Sequence, residues 1–472
     1  MNLIRKGILK YIVSDYFTAA ISWLLFLIFR KHTLDILSLQ DLFYKISHKD
    51  ILNIVFAIPL GWIILHLFSG AYFNPYRKSR LNEIYRTLLI TILGALIIFF
   101  LIVINDKASD YGYYPNAFFT YLSIQFLLTS IGRNVVLSIF KNHLRKGLFT
   151  FNTLMIGGNK EAVKIFKEIT ENTKSKFNSF SGFVYADESG ENGMSKYLNK
   201  LGSISEIETI IEKNNIDEVI IAIDTEQHHR LQEILTRLSH KPTVIKISPD
   251  MYDIISGSVR TNNVLGAVMI EIYPELMPDW QRVIKRAIDI SLSIFVMILL
   301  SPLYLFAALK VKLSSTGSIF YKQERIGLHG KPFYIYKYRS MYADAEKMGP
   351  ALSSEDDPRI TKWGKIMRTW RIDEIPQFYN ILKGDMSLVG PRPERKHFID
   401  IICQTHPHYR YLHKVKPGLT SWGMVKYGYA ENVDQMKERM KYDLLYIKNC
   451  SLALDTKIMF YTILVILQGR GK

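Results

Sequence analysis

Cysteine is nearly missing from this chain: Cys403 and Cys450 are the only two among 472 residues. Two thiols cannot build a disulfide framework, and they are read as buried or half-buried groups in a reducing compartment. Zinc-ligand spacing is missing as well. The nearest approach is His406-Pro407-His408, with no further Cys or His at ligand distance along the chain. Aromatic RNA-binding signatures are absent, so nucleic acid is not an expected partner. No small-residue cleavage site follows the first apolar run, and a cleavable signal peptide is not expected. Acidic residues are scarce beside basic ones, 43 against 60, which leaves a formal net charge of +17. Much of that excess flanks apolar segments. Such flanks hold a protein against an anionic leaflet and attract phosphate-bearing ligands.

What is abundant is apolar sequence, 48% of the chain, gathered into runs that alternate with basic segments. The length suggests two to four structural units. Four runs come first, Ile12–Phe29, Ile51–Tyr72, Leu88–Ile104 and Ala117–Ile131, against the roughly 20 residues a spanning helix needs. The second and third fit well. The first carries Asp15, and the fourth is short and contains Gln125. Lys and Arg crowd before the first run, between the second and third, and after the fourth, while Asn105–Asn116 has one Lys against two Asp. The positive-inside rule then places both ends of the bundle in the cytoplasm, with Arg30, Lys31, Lys45 and Lys49 in the first external loop running against it.

From Phe149 to Glu271 the pattern becomes α/β. Leu154–Ile156, Gly157-Gly158-Asn159 and a helical stretch from Glu161 read as strand, turn and helix, and 218–223 and Thr243–Ile247 read as further buried strands. Alternating strands and helices predict a parallel, doubly wound, Rossmann-like sheet. The glycine turn lacks G-x-G-x-x-G spacing, so a structural or regulatory role is favoured over nucleotide binding. A fifth apolar run, Ile290–Leu309, is long enough to span, yet basic residues stand on both sides and Ser301-Pro302 falls near its middle. Proline removes a helical hydrogen bond, and a nearby serine can satisfy the freed groups. A re-entrant helix over about 288–310 is expected, which keeps the segments before and after it on one face.

Between Gly317 and Pro393 the chain is dense in Arg, Lys, Asp, Glu, Gly and Pro. Gln323-Glu324-Arg325, Lys337-Tyr338-Arg339-Ser340-Met341, Arg368, Asp373-Glu374-Ile375-Pro376-Gln377 and Gly390-Pro391-Arg392-Pro393 follow in order. Arginine forks clamp phosphate oxygens and lysine adds a point charge. A carboxylate can attack phosphorus or hold Mg²⁺, which commonly takes one or two carboxylates plus substrate phosphates. Adjacent Asp373 and Glu374 repel, so a nearby cation is needed to keep both ionised. Each element alone also reads as an ordinary charged surface.

Taken together, residues 281–472 closely resemble the catalytic domain of the bacterial sugar transferases, the polyprenyl-phosphate hexose-1-phosphate transferases or monotopic phosphoglycosyl transferases. The resemblance runs through Lys285-Arg286 with Asp289, Ser301-Pro302, Asp357-Pro358-Arg359, the Asp-Glu-x-Pro-Gln signature and Lys416-Pro417-Gly418-Leu419-Thr420. Four transmembrane helices and a Rossmann-like domain ahead of it are similar to the long form of that family. The resemblance implies a four-helix transmembrane region (1–148), a Rossmann-like α/β domain (149–271) and a mainly α catalytic domain (272–472) carrying the re-entrant helix. It implies that Asp373 attacks a UDP-hexose, glucose or galactose, expels UMP and passes the phosphosugar to undecaprenyl phosphate. Glu374 would hold Mg²⁺ with Asp373 or assist proton removal, and both alternatives stay open. Lys337, Arg368 and Arg392 are the expected phosphate contacts. Arg325, Arg339 and Gln377 stand behind them, the two arginines equally readable as structural ties. The expected setting is the inner membrane of a bacterium, with the catalytic domain cytoplasmic, membrane lipid and a homodimer as partners, and polysaccharide assembly as the pathway class.

Two rivals remain at this stage. A membrane-bound nucleotide-sugar dehydratase would need a second dinucleotide fold after residue 280. A catalytically inactive scaffold of polysaccharide assembly would not need the Asp373-Glu374 pair.

Overall fold

A computed structural model describes residues 2–35, 48–106, 108, 110–171, 178–185, 193–223, 228–248, 269–272, 276–342, 345, 357–428 and 430–468. The chain divides into two compact units, one built on Met1–Thr150 and the other on Phe151–Lys174, Asn178–Met277 and Lys285–Lys472.

The first unit contains α1 (Asn2–Asp35), α2 (Asp50–Phe68), α3 (Arg80–Leu101) and α4 (Tyr113–Arg145). Each holds a stretch long and apolar enough to cross a membrane. The two runs that looked compromised lengthen to helices of 34 and 33 residues, because the polar groups interrupting them find partners on other helices. Asp15 receives Arg133 through Nη2 at 2.7 Å and Nε at 2.9 Å, and the Tyr72 hydroxyl at 2.9 Å. Arg133 also reaches Glu83 at 3.1 Å. Gln125 accepts from Ser22 and donates to Thr129 at 2.9 Å. Paired charges of this kind are tolerated at membrane depth when they face the bundle interior. Arg30, one of the cations at odds with the predicted orientation, is bound to Asp106, its Nε at 2.8 Å.

The second unit opens with a six-stranded sheet. Its strands are β1 (Phe151–Ile156), β2 (Asn178–Tyr185), β3 (Lys200–Ser203), β4 (Glu218–Ile221), β5 (Val244–Ile247) and β6 (Ile270–Ile272), in spatial order β3-β2-β1-β4-β5-β6. The first five pair in parallel, while β6 joins the edge antiparallel to β5. The sheet is therefore mixed, as doubly wound sheets with an antiparallel edge strand commonly are. Helices α5 (Lys160–Glu171), α6 (Ile207–Lys213) and α7 (His228–Leu238) connect the strands. β2 and β3 were not legible beforehand because Ser, Asn, Lys and Gly interrupt their apolar pattern. The Gly157-Gly158 turn has a packing explanation. A side chain at 157 would strike the Ala222 carbonyl, and one at 158 would come within 2.6 Å of the Tyr185 ring.

α8 (Asp279–Leu299) and α9 (Ser301–Ser314) meet at Leu300 with a bend of 65°. Pro302 stands in the first turn of α9, where its missing N–H would have had no partner. The base of α8 is fastened to the rest of the unit by the three charged residues of its first motif. Lys285 donates to the Val389 carbonyl at 2.9 Å and to Asp455 at 2.5 Å. Arg286 donates to the carbonyls of Ile381 and Leu382 at 2.6 and 2.8 Å, capping α11 (Gln377–Lys383) at its C-terminal end. Asp289 accepts from the Leu388 amide at 3.0 Å. On both sides of the bend the helices show apolar faces, with Phe295, Ile298, Leu299, Leu305, Leu309 and Leu313 exposed.

The remaining elements form the site's frame. β7 (Phe320–Ile326) and β8 (Pro332–Tyr338) make an antiparallel hairpin, and β9 (Ser387–Val389) pairs in parallel with β10 (Gly418–Thr420). Helices α10 (Lys362–Thr369), α12 (Lys396–Thr405), α13 (Trp422–Lys426), α14 (Val433–Lys448) and α15 (Leu452–Leu467) complete it. Their core gathers Ile335, Ile381, Met386, Ile402, Met440 and Ile447, among others. Among the described residues, the chain after 280 carries no sheet larger than two strands, so the second dinucleotide fold a dehydratase would require is not seen there.

Candidate active site

Asp373 and Glu374 lie in a single 3-10 turn, Ile372–Glu374, between α10 and α11. Four hydrogen bonds fix the segments around that turn. Asn380, fully buried on α11, donates to the Tyr334 carbonyl at 2.7 Å and accepts from the Tyr336 amide at 3.1 Å, locking α11 against β8. The Tyr304 hydroxyl on α9 donates to the Ile375 carbonyl at 2.8 Å. The Tyr338 hydroxyl in turn donates to the Tyr304 carbonyl at 2.9 Å. The bent helix pair is thus bonded directly to the segment that carries the carboxylates.

Both carboxylates are buried, Asp373 at 7% and Glu374 at 6% exposure, and their surroundings differ. Glu374 Oε1 accepts from Lys337 Nζ at 2.8 Å and from Arg392 Nη2 at 3.2 Å. Arg371 Nη1 stands 3.7 Å from Oε2, too far for a hydrogen bond, and Oε2 is buried without one. Asp373 accepts no hydrogen bond among the described residues. Burial raises the Asp373 pKa, the negative charge of Glu374 adds to this, and Lys337 opposes it. Burial would raise Glu374 too, but Lys337, Arg392 and Arg371 outweigh it and hold this carboxyl well below the usual range. Burial pushes the Lys337 ammonium down, against the pull of Glu374. The turn therefore offers one carboxylate clamped by cations and one left open.

The other residues singled out from sequence divide in two. Lys337, on β8, and Arg392, in the loop after β9, meet at Glu374. The Arg392 loop is fixed by close backbone approach, since a side chain at Gly390 would collide with the Lys416 carbonyl. Arg368, on α10, donates to the Ser340 hydroxyl at 3.0 Å and acts electrostatically on Asp373. Gln377 is buried at the start of α11, directly after the turn. Arg325 and Arg339 lie away from the pair. Arg325 binds Glu394 at 3.1 Å and Gln323 at 2.5 Å, and Arg339 donates to the Val311 and Ser315 carbonyls at 3.3 and 2.6 Å. These contacts match the structural alternative. Arg371 was not picked out from sequence, although its position two residues before Asp373 was a signal. It occupies a left-handed conformation, φ 55° and ψ 24°, immediately past the end of α10. That geometry costs a non-glycine residue about 1–2 kcal/mol.

Behind the Arg392 loop, Glu394 accepts from Arg325 and, at 2.6 Å, from Arg439. One turn on from Arg439, buried Asp443 accepts the Gly423 amide at 2.9 Å. Burial pushes the Asp443 pKa up to about 6, with Arg439 pulling the other way. A folded-state value above the ordinary one means the unfolded chain binds fewer protons in that window, so this group's contribution to stability falls as pH rises from about 4 to about 6. Asp443→Asn should remove that portion of the slope. Parallel thermal melts of the two proteins in detergent, taken between pH 4 and 7, should diverge in the variant's favour as pH rises.

Among the described residues, no group of three or more His, Cys, Asp or Glu side chains is placed to hold a metal. The Asp373–Glu374 pair offers two carboxylates, and the buried Glu374 Oε2 lacks a hydrogen bond. That suits a hard cation which draws its remaining ligands from water and substrate phosphate.

Comparison with known proteins gives two family matches. Residues 280–469 match the family described as bacterial sugar transferase, and residues 68–249 match one described as a CoA-binding domain. The UDP-N-acetylgalactosamine-undecaprenyl-phosphate N-acetylgalactosaminephosphotransferase of Aeromonas hydrophila is 45% identical over 40% of this chain and 44% of its own. The UDP-glucose:undecaprenyl-phosphate glucose-1-phosphate transferase of Escherichia coli (strain K12) is 32% identical over 56% of this chain and 57% of its own. A protein of the same name from Xanthomonas campestris pv. campestris is 30% identical over 71% of both. The chain spans about half the length of the first two relatives and nearly three quarters of the third. With the Asp-Glu turn, its cations and the bent helix pair all inside the matched region, this chain belongs to the bacterial sugar transferase family.

Proposed function

We propose that the protein transfers a sugar-1-phosphate from a UDP-sugar to undecaprenyl phosphate, with Asp373 as the covalent nucleophile. The observation that carries this reading is the asymmetric carboxylate pair: Glu374 is clamped by Lys337 and Arg392, while Asp373 accepts no hydrogen bond among the described residues. A nucleophile must keep a lone pair available, and burial that disfavours its ionised form also makes that form more basic. Lys337, Arg368, Arg371 and Arg392 set four cations around two carboxylates. The excess of positive charge suits a diphosphate.

In the first step an Asp373 oxygen bonds to the β-phosphorus of the donor. The bond from that phosphorus to the bridging oxygen breaks, and UMP leaves with the electron pair. In the second step an oxygen of undecaprenyl phosphate attacks the same phosphorus, and the aspartate carboxylate departs. Splitting the transfer lets a water-soluble donor and a lipid acceptor use the site in turn. Asp373 and Glu374 would hold Mg²⁺, which when bound supplies neutralisation of phosphoryl charge. Lys337 and Arg392 orient Glu374 and face the donor's phosphates.

The bent α8–α9 pair supports a re-entrant segment that returns to the cytoplasmic face of the inner membrane. Exposed Phe460, Ile463 and Leu467 on α15 support a second lipid contact. The sheet of residues 151–272 supports a Rossmann-like accessory domain, and self-association is part of the same reading. The relatives' names divide between N-acetylgalactosamine and glucose donors. The test is therefore a panel of UDP-glucose, UDP-galactose and their N-acetyl forms, incubated with detergent-solubilised protein and undecaprenyl phosphate. UMP release from one member is the expected result. No release from any of them, or NAD-dependent conversion of the sugar, would sink the proposal.

A further inference from the structure

The first residue past a helix's C-cap commonly turns left-handed, and glycine is the usual occupant because it has no side chain to clash. At the end of α10 the cap is Trp370, and the left-handed residue after it is Arg371. Its amide closes the turn onto the Arg368 carbonyl at 3.2 Å, and its own carbonyl accepts the Glu374 amide at 3.2 Å. The residue thus links the end of α10 to the carboxylate turn. Glycine would make the same backbone bonds with less strain, so turn geometry does not explain an arginine here.

The side chain does. Arg371 is largely buried, its side chain 10% exposed, and Nη1 lies 3.7 Å from Glu374 Oε2 on the side away from the oxygen held by Lys337 and Arg392. We propose that Arg371 is a positioning residue, which accepts a strained backbone in order to orient the second oxygen of Glu374 beside the attacking carboxylate. This rests on the transferase reading above and gives a positioning role to a residue counted there only as one of four surrounding cations. Lys337 and Arg392 hold one oxygen of Glu374, and a carboxylate held at one oxygen still rotates about that contact. A cation at the other oxygen resists the rotation, and modest misplacement near reacting atoms lowers rate steeply.

The test compares wild type, Arg371→Gly and Arg371→Lys for thermal midpoint in detergent and for UMP release at varied UDP-sugar. For Arg371→Gly the expected result is an equal or higher midpoint together with a fall in kcat of about 10- to 100-fold and a much smaller change in KM. Arg371→Lys should regain a large part of kcat, since it restores the charge. Equal kcat in Arg371→Gly and wild type overturns the inference alone. So does a lower midpoint in Arg371→Gly, which would make the arginine a folding element. Failure of wild type itself to release UMP overturns the transferase reading and this one with it.

Discussion

Asparagine in place of Asp373 should abolish both UMP release and labelling of the protein by a donor carrying phosphorus label, with turnover falling by a factor on the order of 10⁴ or more. Loss of activity alone would be weak evidence, because many substitutions in a buried site unfold it. Here the fold should hold. The Asp373 carboxylate accepts no hydrogen bond among the described residues, so an amide of the same shape takes no acceptor away from a protein donor. The change also removes a negative charge whose burial, with the repulsion of Glu374, outweighs the attraction of Lys337 and the nearby arginines. The thermal midpoint of Asp373→Asn should therefore equal or exceed that of the unmodified protein. Glu374→Gln behaves differently. It withdraws the anion that Lys337 and Arg392 share, and stranding a buried charge costs about 3–5 kcal/mol. Activity lost in that variant would mix chemistry with stability, so Asp373 gives the cleaner measurement. Labelled intermediate or substantial UMP release from Asp373→Asn would remove Asp373 as the covalent nucleophile.

The contrast between these two neighbours marks where sequence reading runs out. Adjacency of Asp373 and Glu374 was visible, together with the repulsion it implies and the need for cations nearby. Which carboxylate the cations would choose was not, because Lys337 comes from a strand 37 residues upstream and Arg392 from a loop 18 residues downstream. The same limit left Arg325 and Arg339 ambiguous. As charges in a basic segment they looked alike to Lys337, and only their partners, Glu394 for one and the Val311 and Ser315 carbonyls for the other, separate tie from site. The Ser301-Pro302 break was readable because proline acts locally, through its own ring and missing N–H, and the bend falls there. β2 and β3 were not readable because pairing within a sheet overrode weak local preference at Ser, Asn and Gly. Asp15 and Gln125 show the reverse error of scale. Read along the chain they weaken two membrane helices, while across the bundle they join them.

That cross-bundle network sets the second large effect. Arg133→Leu leaves Asp15 and Glu83 without the guanidinium that bridges them, at 1% and 4% side-chain exposure. Glu83 keeps Lys78 at 3.1 Å, whereas among the described residues Asp15 keeps only the Tyr72 hydroxyl as a hydrogen-bond partner. An uncompensated buried charge costs about 3–5 kcal/mol, comparable to a large share of a protein's net stability. The expected outcome is a marked drop in thermal midpoint in detergent, faster proteolysis and poor recovery from membranes. Leucine at 133 with asparagine at 15 should recover part of the loss, because the stranded charge is then gone while Tyr72 still has a polar partner. Recovery of this kind appears in a double-mutant cycle as a coupling of about 1–3 kcal/mol between positions 118 residues apart in sequence. If Arg133→Leu matched the unmodified protein within about 0.5 kcal/mol, these contacts would be incidental to holding the helices together.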